Sequence, residues 1–165
     1  MLSYDEFKII FLGSDDPEVK KVNKKLCEEY PFLLPRYEWT QEPIEDYDYE
    51  FTNLDELPMG WRKKFGLDMC EELKQILVDG NCLNDYRVLQ IKEKYGILRW
   101  YDNGIPTSIS ERYDKWLKKY EDLSEETCIV CGNPGKMVTR GWISPYCKKC
   151  FHNMYPKANY DEWTS

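Results

Sequence analysis

Two Cys-x-x-Cys pairs, Cys128-Ile129-Val130-Cys131 and Cys147-Lys148-Lys149-Cys150, stand 15 residues apart in a 165-residue chain. Each pair grips one ion from a tight turn, and the interval suits a short β-ribbon that carries both turns to the same ion. Gly132 follows the first pair, where such a turn often needs positive φ so that amides can point at sulfur. Phe151 holds the equivalent place after the second pair and fits that pattern less well. Cys128, Cys131, Cys147 and Cys150 are therefore expected to hold one structural Zn²⁺, with iron as the usual impostor in purified material. Four thiolates leave the ion no open position for chemistry. Disulfides and redox pairs are the competing uses. Seven cysteines are an odd number for a disulfide framework, and a redox site needs one such pair rather than two. Cys27 and Cys70 fall among apolar helix neighbours and Cys82 in a turn, so each is read as a free structural thiol. His152, the sole histidine, is expected on the surface, with replacement of Cys150 as a ligand as its alternative use.

The charge is unevenly distributed. The net charge is -7, but residues 1–60 hold 6 basic and 15 acidic side chains, and no acid occurs between Thr127 and Tyr160. That stretch carries Lys136, Arg140, Lys148, Lys149 and Lys157. A chain acidic overall does not attract nucleic acid as a whole, so any phosphate binding belongs to the carboxy-terminal piece. The simplest use of those cations is to offset the negative metal–thiolate centre. Trp142, Tyr146 and Phe151 would add stacking surface only where exposed, and aromatics of a small ribbon are more often its core. No window approaches the ~18 apolar residues of a membrane span, and Met1 to Gly13 carries acids within its apolar stretch. The chain is expected to be soluble, unexported and cytoplasmic in a bacterial cell.

Periodicity outlines the elements. Phe7 to Leu12, closed by Gly13, suggests a strand. Asp16 and Pro17 start a helix whose apolar face is Val19, Val22, Leu26 and Tyr30, ended by Pro31. Residues 31–43 read as an ordered connector. Residues 45–51 alternate three aromatics with four acids, which predicts a half-buried strand with a carboxylate face. Trp61, Phe65, Met69, Leu73, Ile76 and Leu77 mark the longest helix, with Gly66 as its weak point. Two strand-like runs, 87–92 and 97–101, flank a tight loop ending at Gly96 and predict a hairpin. Ser108 with Glu111 resembles a capping box opening a helix that buries Ile109, Tyr113, Trp116, Leu117 and Tyr120. That helix runs almost directly into Cys128, so the last module should brace against the core.

Catalytic signatures are missing from the sequence. It has no phosphate-cradling glycine loop, no nucleophile elbow, and no His-x-Glu ahead of Pro-Cys-x-x-Cys as a zinc deaminase requires. Acid pairs such as Asp15-Asp16 or Asp46 and Asp48 are read as solvated by default.

Several strings carry a resemblance: Leu33-Leu34-Pro35-Arg36, DYDYEFTNLDELPMGWRKKFG from Asp46 to Gly66, QIKEKYGILRWY from Gln90 to Tyr101, and YEDLSEETCIVCG through GWISPYCKKC. From about Leu33 to Cys150 the chain resembles a group of small, functionally undefined proteins of gut Firmicutes and their phages, which end in a similar cysteine ribbon. The resemblance implies an accessory role, such as interference with a host defence component.

The resulting expectation is an α+β fold. About three helices surround a small, mainly antiparallel sheet in residues 1–126, with a zinc ribbon docked on it in residues 127–165. The expected function is that of a non-enzymatic, zinc-stabilised interaction module. Its acidic surface, Glu42, Glu45, Asp46, Asp48 and Glu50, binds a protein with a basic surface, in the manner of a nucleic-acid backbone. Against this stand a plain solvated face and pairing of the acids with Lys92, Lys94 and Arg99. The alternative is a nucleic-acid-binding ribbon using Lys136, Arg140, Lys148 and Lys149.

Overall fold

The computed structural model describes residues 15–164; the strand expected at Phe7 to Leu12 lies outside them. The fold is α+β, and the described residues comprise three long helices, a two-stranded antiparallel hairpin and a second, shorter antiparallel ribbon.

Helix α1, Pro17–Glu29, begins as its sequence dictates. The Asp16 carboxylate accepts the Glu18 amide at 2.8 Å, Pro17 occupies the first turn, and Val19, Val22, Leu26 and Cys27 are buried. Tyr30 closes it by donating its N–H to the Leu26 carbonyl at 2.7 Å. The connector is ordered: Pro31–Leu33 form a 3₁₀ turn that buries Phe32 and Leu33, and Arg36 bridges back to Pro43.

The expected strand over residues 45–51 does not form. Asp46 and Tyr49 take φ of +51° and +63°, which an extended chain cannot contain. A strand needs a neighbour to satisfy its backbone, and here side chains do that work instead. Asn23 donates to the Tyr49 carbonyl at 2.8 Å, and the Tyr47 hydroxyl accepts the Phe51 amide at 3.1 Å. The left-handed Asp46 and Tyr49 and the Tyr47–Phe51 bond turn the segment back on itself, with Asn23 tying it to α1.

Helix α2, Met59–Trp61, continues through a wider π turn, Arg62–Gly66, into α3, Leu67–Asp79. The buried stripe explains the irregularity. Trp61, Phe65, Met69, Leu73 and Leu77 recur every fourth residue, and at 3.6 residues per turn each step drifts by about 40° around an α-helix. One wider turn, ending at Gly66, winds the stripe back toward the core. Gly80 ends the helix with its N–H on the Ile76 carbonyl at 3.0 Å.

Strands β1, Val88–Lys94, and β2, Ile97–Asp102, pair antiparallel from Lys94↔Ile97 to Val88↔Asp102, with a bulge between Val88 and Gln90. Tyr95 and Gly96, at φ +53° and +79°, make the two-residue turn with both residues left-handed. Helix α4, Ser110–Glu125, then buries Tyr113, Trp116 and Tyr120. The Ser108–Glu111 capping box is not made. The chain enters through a 3₁₀ turn, Thr107–Ile109, that buries Ile109, and Glu111 pairs with Lys115 at 2.6 Å instead. One apolar cluster joins α1, α2, α3, the hairpin and α4. Trp116 donates to the Met69 carbonyl at 3.0 Å, and Trp100 meets Trp116 edge to face at 5.3 Å.

After α4 come β3, Lys136–Met137, and β4, Pro145–Tyr146, paired antiparallel, then α5, Lys148–Met154, and α6, Tyr160–Thr164. Val138, Tyr146, Phe151 and Tyr160 form a second small core with Cys128 and Cys150. Tyr160 donates to the Tyr146 carbonyl at 2.7 Å, and Thr139 donates its N–H to the Trp163 carbonyl at 2.8 Å, which ties α6 to the ribbon. Among the described residues, no helix is long and apolar enough to cross a membrane.

Candidate metal centre

The four expected sulfurs converge. The Sγ atoms of Cys128, Cys131, Cys147 and Cys150 all lie within 4.8 Å of one another, and Cys131 and Cys147 are 3.7 Å apart. A tetrahedron with metal–sulfur bonds of about 2.3 Å has edges of ~3.8 Å, so the set can bind one metal ion. None of the cysteines is in a disulfide. Among the described residues this is the group of His, Cys, Asp and Glu side chains whose ligand atoms come together, and His152 is not part of it.

The two halves are built differently. Cys128 and Cys131 sit on a knuckle in which Gly132, at φ +80°, donates its N–H to the Cys128 carbonyl at 3.0 Å. This is the left-handed residue the sequence calls for. Cys147 and Cys150 instead start helix α5: Cys147 is its N-cap, and its sulfur accepts the Cys150 amide at 3.4 Å. Helical backbone presents that amide without any positive φ, so Phe151 is free to turn inward as the centre of the second core. Its ring meets those of Tyr155, Tyr160 and Trp163 at 5.3–5.5 Å.

Backbone amides supply the local electrostatics. Burial pushes the Cys128 thiol up, but the amides of Cys147, Cys131 and Val130 outweigh it and leave the thiol below its ordinary value. Burial raises Cys131 and Cys150, and for Cys150 the neighbouring sulfurs add to the rise. A bound cation would oppose that rise, because it favours the thiolate at every ligand. The core thiols differ: Cys27, pushed up to about 12 by burial, and Cys70, raised further, are inert helix residues.

The centre is braced on the main body at a joint that the sequence does not disclose. The Gly60 amide of α2 donates to the Ile129 carbonyl at 2.9 Å, and the Trp61 indole donates to the Thr127 carbonyl at 2.9 Å. Ile129 donates in turn to Pro145 at 2.9 Å, which links the knuckle to the strand leading to the second pair. A lone glycine before a core tryptophan reads only as a helix start, because its partner lies nearly seventy residues further along.

The other expected site residues are dispersed. Glu42, Glu45, Asp46, Asp48 and Glu50 are exposed, but on folded turns rather than along a strand. Asp48 pairs with Lys20 of α1 at 2.7 Å, not with the hairpin, whose Arg99 reaches Glu121 at 3.7 Å. Lys136, Arg140, Lys148 and Lys149 are exposed. Tyr146 and Phe151 are buried, as aromatics of a small ribbon core should be, whereas Trp142 is 68% exposed. Trp39, unremarked in the sequence, is 92% exposed on the connector. Comparison with protein-family models, curated proteins and solved structures finds no match to this chain.

Proposed function

We propose that the ion is zinc, that it serves as a structural staple, and that the protein is a non-enzymatic interaction module whose acidic face binds a protein with a basic surface. Thiolate-only tetrahedral sites favour zinc and leave it no catalytic position. The observation that carries the binding reading is the exposure of Trp39 within the acidic run. Tyr37 and Trp39 stand out on the turn between Arg36 and Pro43, beside Glu38 and Glu42. A groove of about 540 Å³ next to them is lined by Glu38, Phe51, Leu89 and Tyr101 among others. Tryptophan anchors bordered by charge are typical of binding hot spots. Imitation of a nucleic-acid backbone loses its support, because an extended strand would set alternate carboxylates in a regular row at about 6.6 Å and that strand is not made. An accessory role against a host component is compatible with this surface.

The test is affinity capture from the host with the zinc-loaded chain. The comparison chains are Trp39→Ala and a chain carrying Glu42→Gln, Glu45→Gln, Asp46→Asn and Glu50→Gln. A protein of basic surface held by the parent, released by moderate salt and lost from both variants is the expected result. Identical capture by all three chains would overturn the reading.

A further inference from the structure

A second aromatic surface, independent of the acidic face, lies where the hairpin turn meets the acid-free ribbon. Tyr95, at the tip of the β1–β2 turn, is 67% exposed, and Trp142, at the tip of the ribbon, is 68% exposed. Between them lies a groove of about 300 Å³ lined by Glu93, Lys94, Tyr95, Gly141, Trp142 and Ile143. That volume is at the lower end of small-ligand sites. We infer that this groove is a stacking site for the bases of a single nucleic-acid strand.

Three observations lead there. First, both walls rest on ordered elements. The hairpin turn abuts the ribbon so closely that a Cβ on Gly96 would stand 2.3 Å from the Met137 sulfur, and Val138 donates to Ser144 at 2.9 Å just behind Trp142. Second, Tyr95 contravenes the local rule. The first position of such a turn, here at φ +53°, favours Asn, Asp or Gly. An exposed aromatic held there bears a backbone cost that nothing in the core repays, a pattern met at binding sites. Third, the charge is complementary. The Lys94 ammonium lies 5.7 Å from the Tyr95 ring centre, Arg140 is exposed next to Gly141, and Lys136 stands on the same ribbon. The one acid of the groove, Glu93, is engaged by the Gly96 amide of the turn.

Flat faces flanked by cations suit the features that DNA and RNA strands share, namely base faces and phosphates, whereas a paired duplex hides its faces. The chain's acidic half does not prevent this, since exposed charges beyond about 8 Å are largely screened at physiological salt.

The experiment is fluorescence anisotropy of labelled oligothymidylate with the zinc-loaded full chain at low and moderate salt, and of the same strand annealed to oligoadenylate. Tighter binding of the single strand is expected. Trp142→Ala and Tyr95→Asn, the latter chosen because asparagine suits the turn, should each weaken it by about five- to a hundredfold. The salt dependence should be unchanged, because stacking releases no counterions. Trp142→Phe should restore most of the affinity; Trp142→Ala should melt with the parent, and Tyr95→Asn at or slightly above it, since asparagine relieves the left-handed turn position. Lys94→Gln together with Arg140→Gln should instead flatten the salt dependence. Absence of binding by the parent, equal binding of strand and duplex, or unaltered affinity in both aromatic variants would each overturn the stacking site. None of these results touches the acidic-face reading, which is tested on other residues.

Discussion

Gly60 shows how much one missing side chain can decide. Its amide donates to Ile129, and a Cβ built on it would lie 2.0 Å from the Cys128 carbonyl oxygen and 2.8 Å from the Gly132 nitrogen. Across the joint, a Cβ on Gly132 would meet the Gly60 carbonyl at 2.6 Å. Helix and knuckle therefore approach backbone to backbone, which only glycine on each side permits. In an unhindered helix, replacing glycine with alanine stabilises by about 1 kcal/mol. Here the obstacle is main chain and cannot swing aside, so Gly60→Ala should destabilise, by about 1–3 kcal/mol as overpacked substitutions do. It should also weaken metal retention against a competing chelator, because the displaced atoms belong to the ligand-bearing turn. Thermal melting with metal competition checks both, and a variant as stable as the parent would mean that the helix does not press on the knuckle. At this scale the sequence is half legible. Gly132 declares itself because the residues that need it are adjacent, while Gly60 answers to residues far along the chain.

The elements separate into those governed by local chemistry and those governed by what covers them. Helix α1 and the hairpin are readable because cap, proline, apolar spacing and turn glycine all lie within a few residues of the structure they cause. The acidic segment misleads because alternation describes a strand only where a partner strand exists, and Asn23 and Tyr47 take the place of that partner. The π turn between α2 and α3 was foreshadowed by Gly66 and by the four-residue rhythm, yet its form depends on keeping five apolar side chains on one core. The two helix starts provide a direct comparison. Asp16 caps α1 by accepting the Glu18 amide at 2.8 Å, so Asp16→Ala should cost about 1 kcal/mol. Ser108 looks like a cap in the sequence but lies inside the 3₁₀ turn, and α4 begins without a side-chain cap. Ser108→Ala should therefore stay within about 0.5 kcal/mol of the parent, the range of surface changes that touch no special feature. Chemical denaturation of both variants decides the matter. Equal losses would mean that Ser108 caps α4 after all.

At the scale of the whole molecule, the described residues form two cores of unequal means. The larger runs from Val22 to Tyr120 through three long helices and the hairpin, while the smaller gathers Val138, Tyr146, Phe151 and Tyr160 around the cysteines, and Ile129 packs against both. A cluster that small cannot offset the entropy of ordering the chain around it, and in the proposed reading the ion supplies the difference. Removing the metal should therefore undo the molecule in order rather than at once. In hydrogen exchange after chelation, the amides of Val138, Thr139 and Phe151, all hydrogen-bonded within the ribbon module, should lose protection first. The β1–β2 ladder and the amides of α3 should remain slow, since their burial owes nothing to the sulfurs. Cys131→Ser and Cys147→Ser should reproduce that pattern without chelator, and elemental analysis should find one zinc per parent chain and little in either variant. Retention of a full equivalent by both variants would refute the ligand set. Simultaneous loss of protection in hairpin and ribbon would have a different meaning. The hydrogen bonds from Gly60 and Trp61 would then fuse the two cores into one cooperative unit, and the staple would hold the whole fold rather than its end.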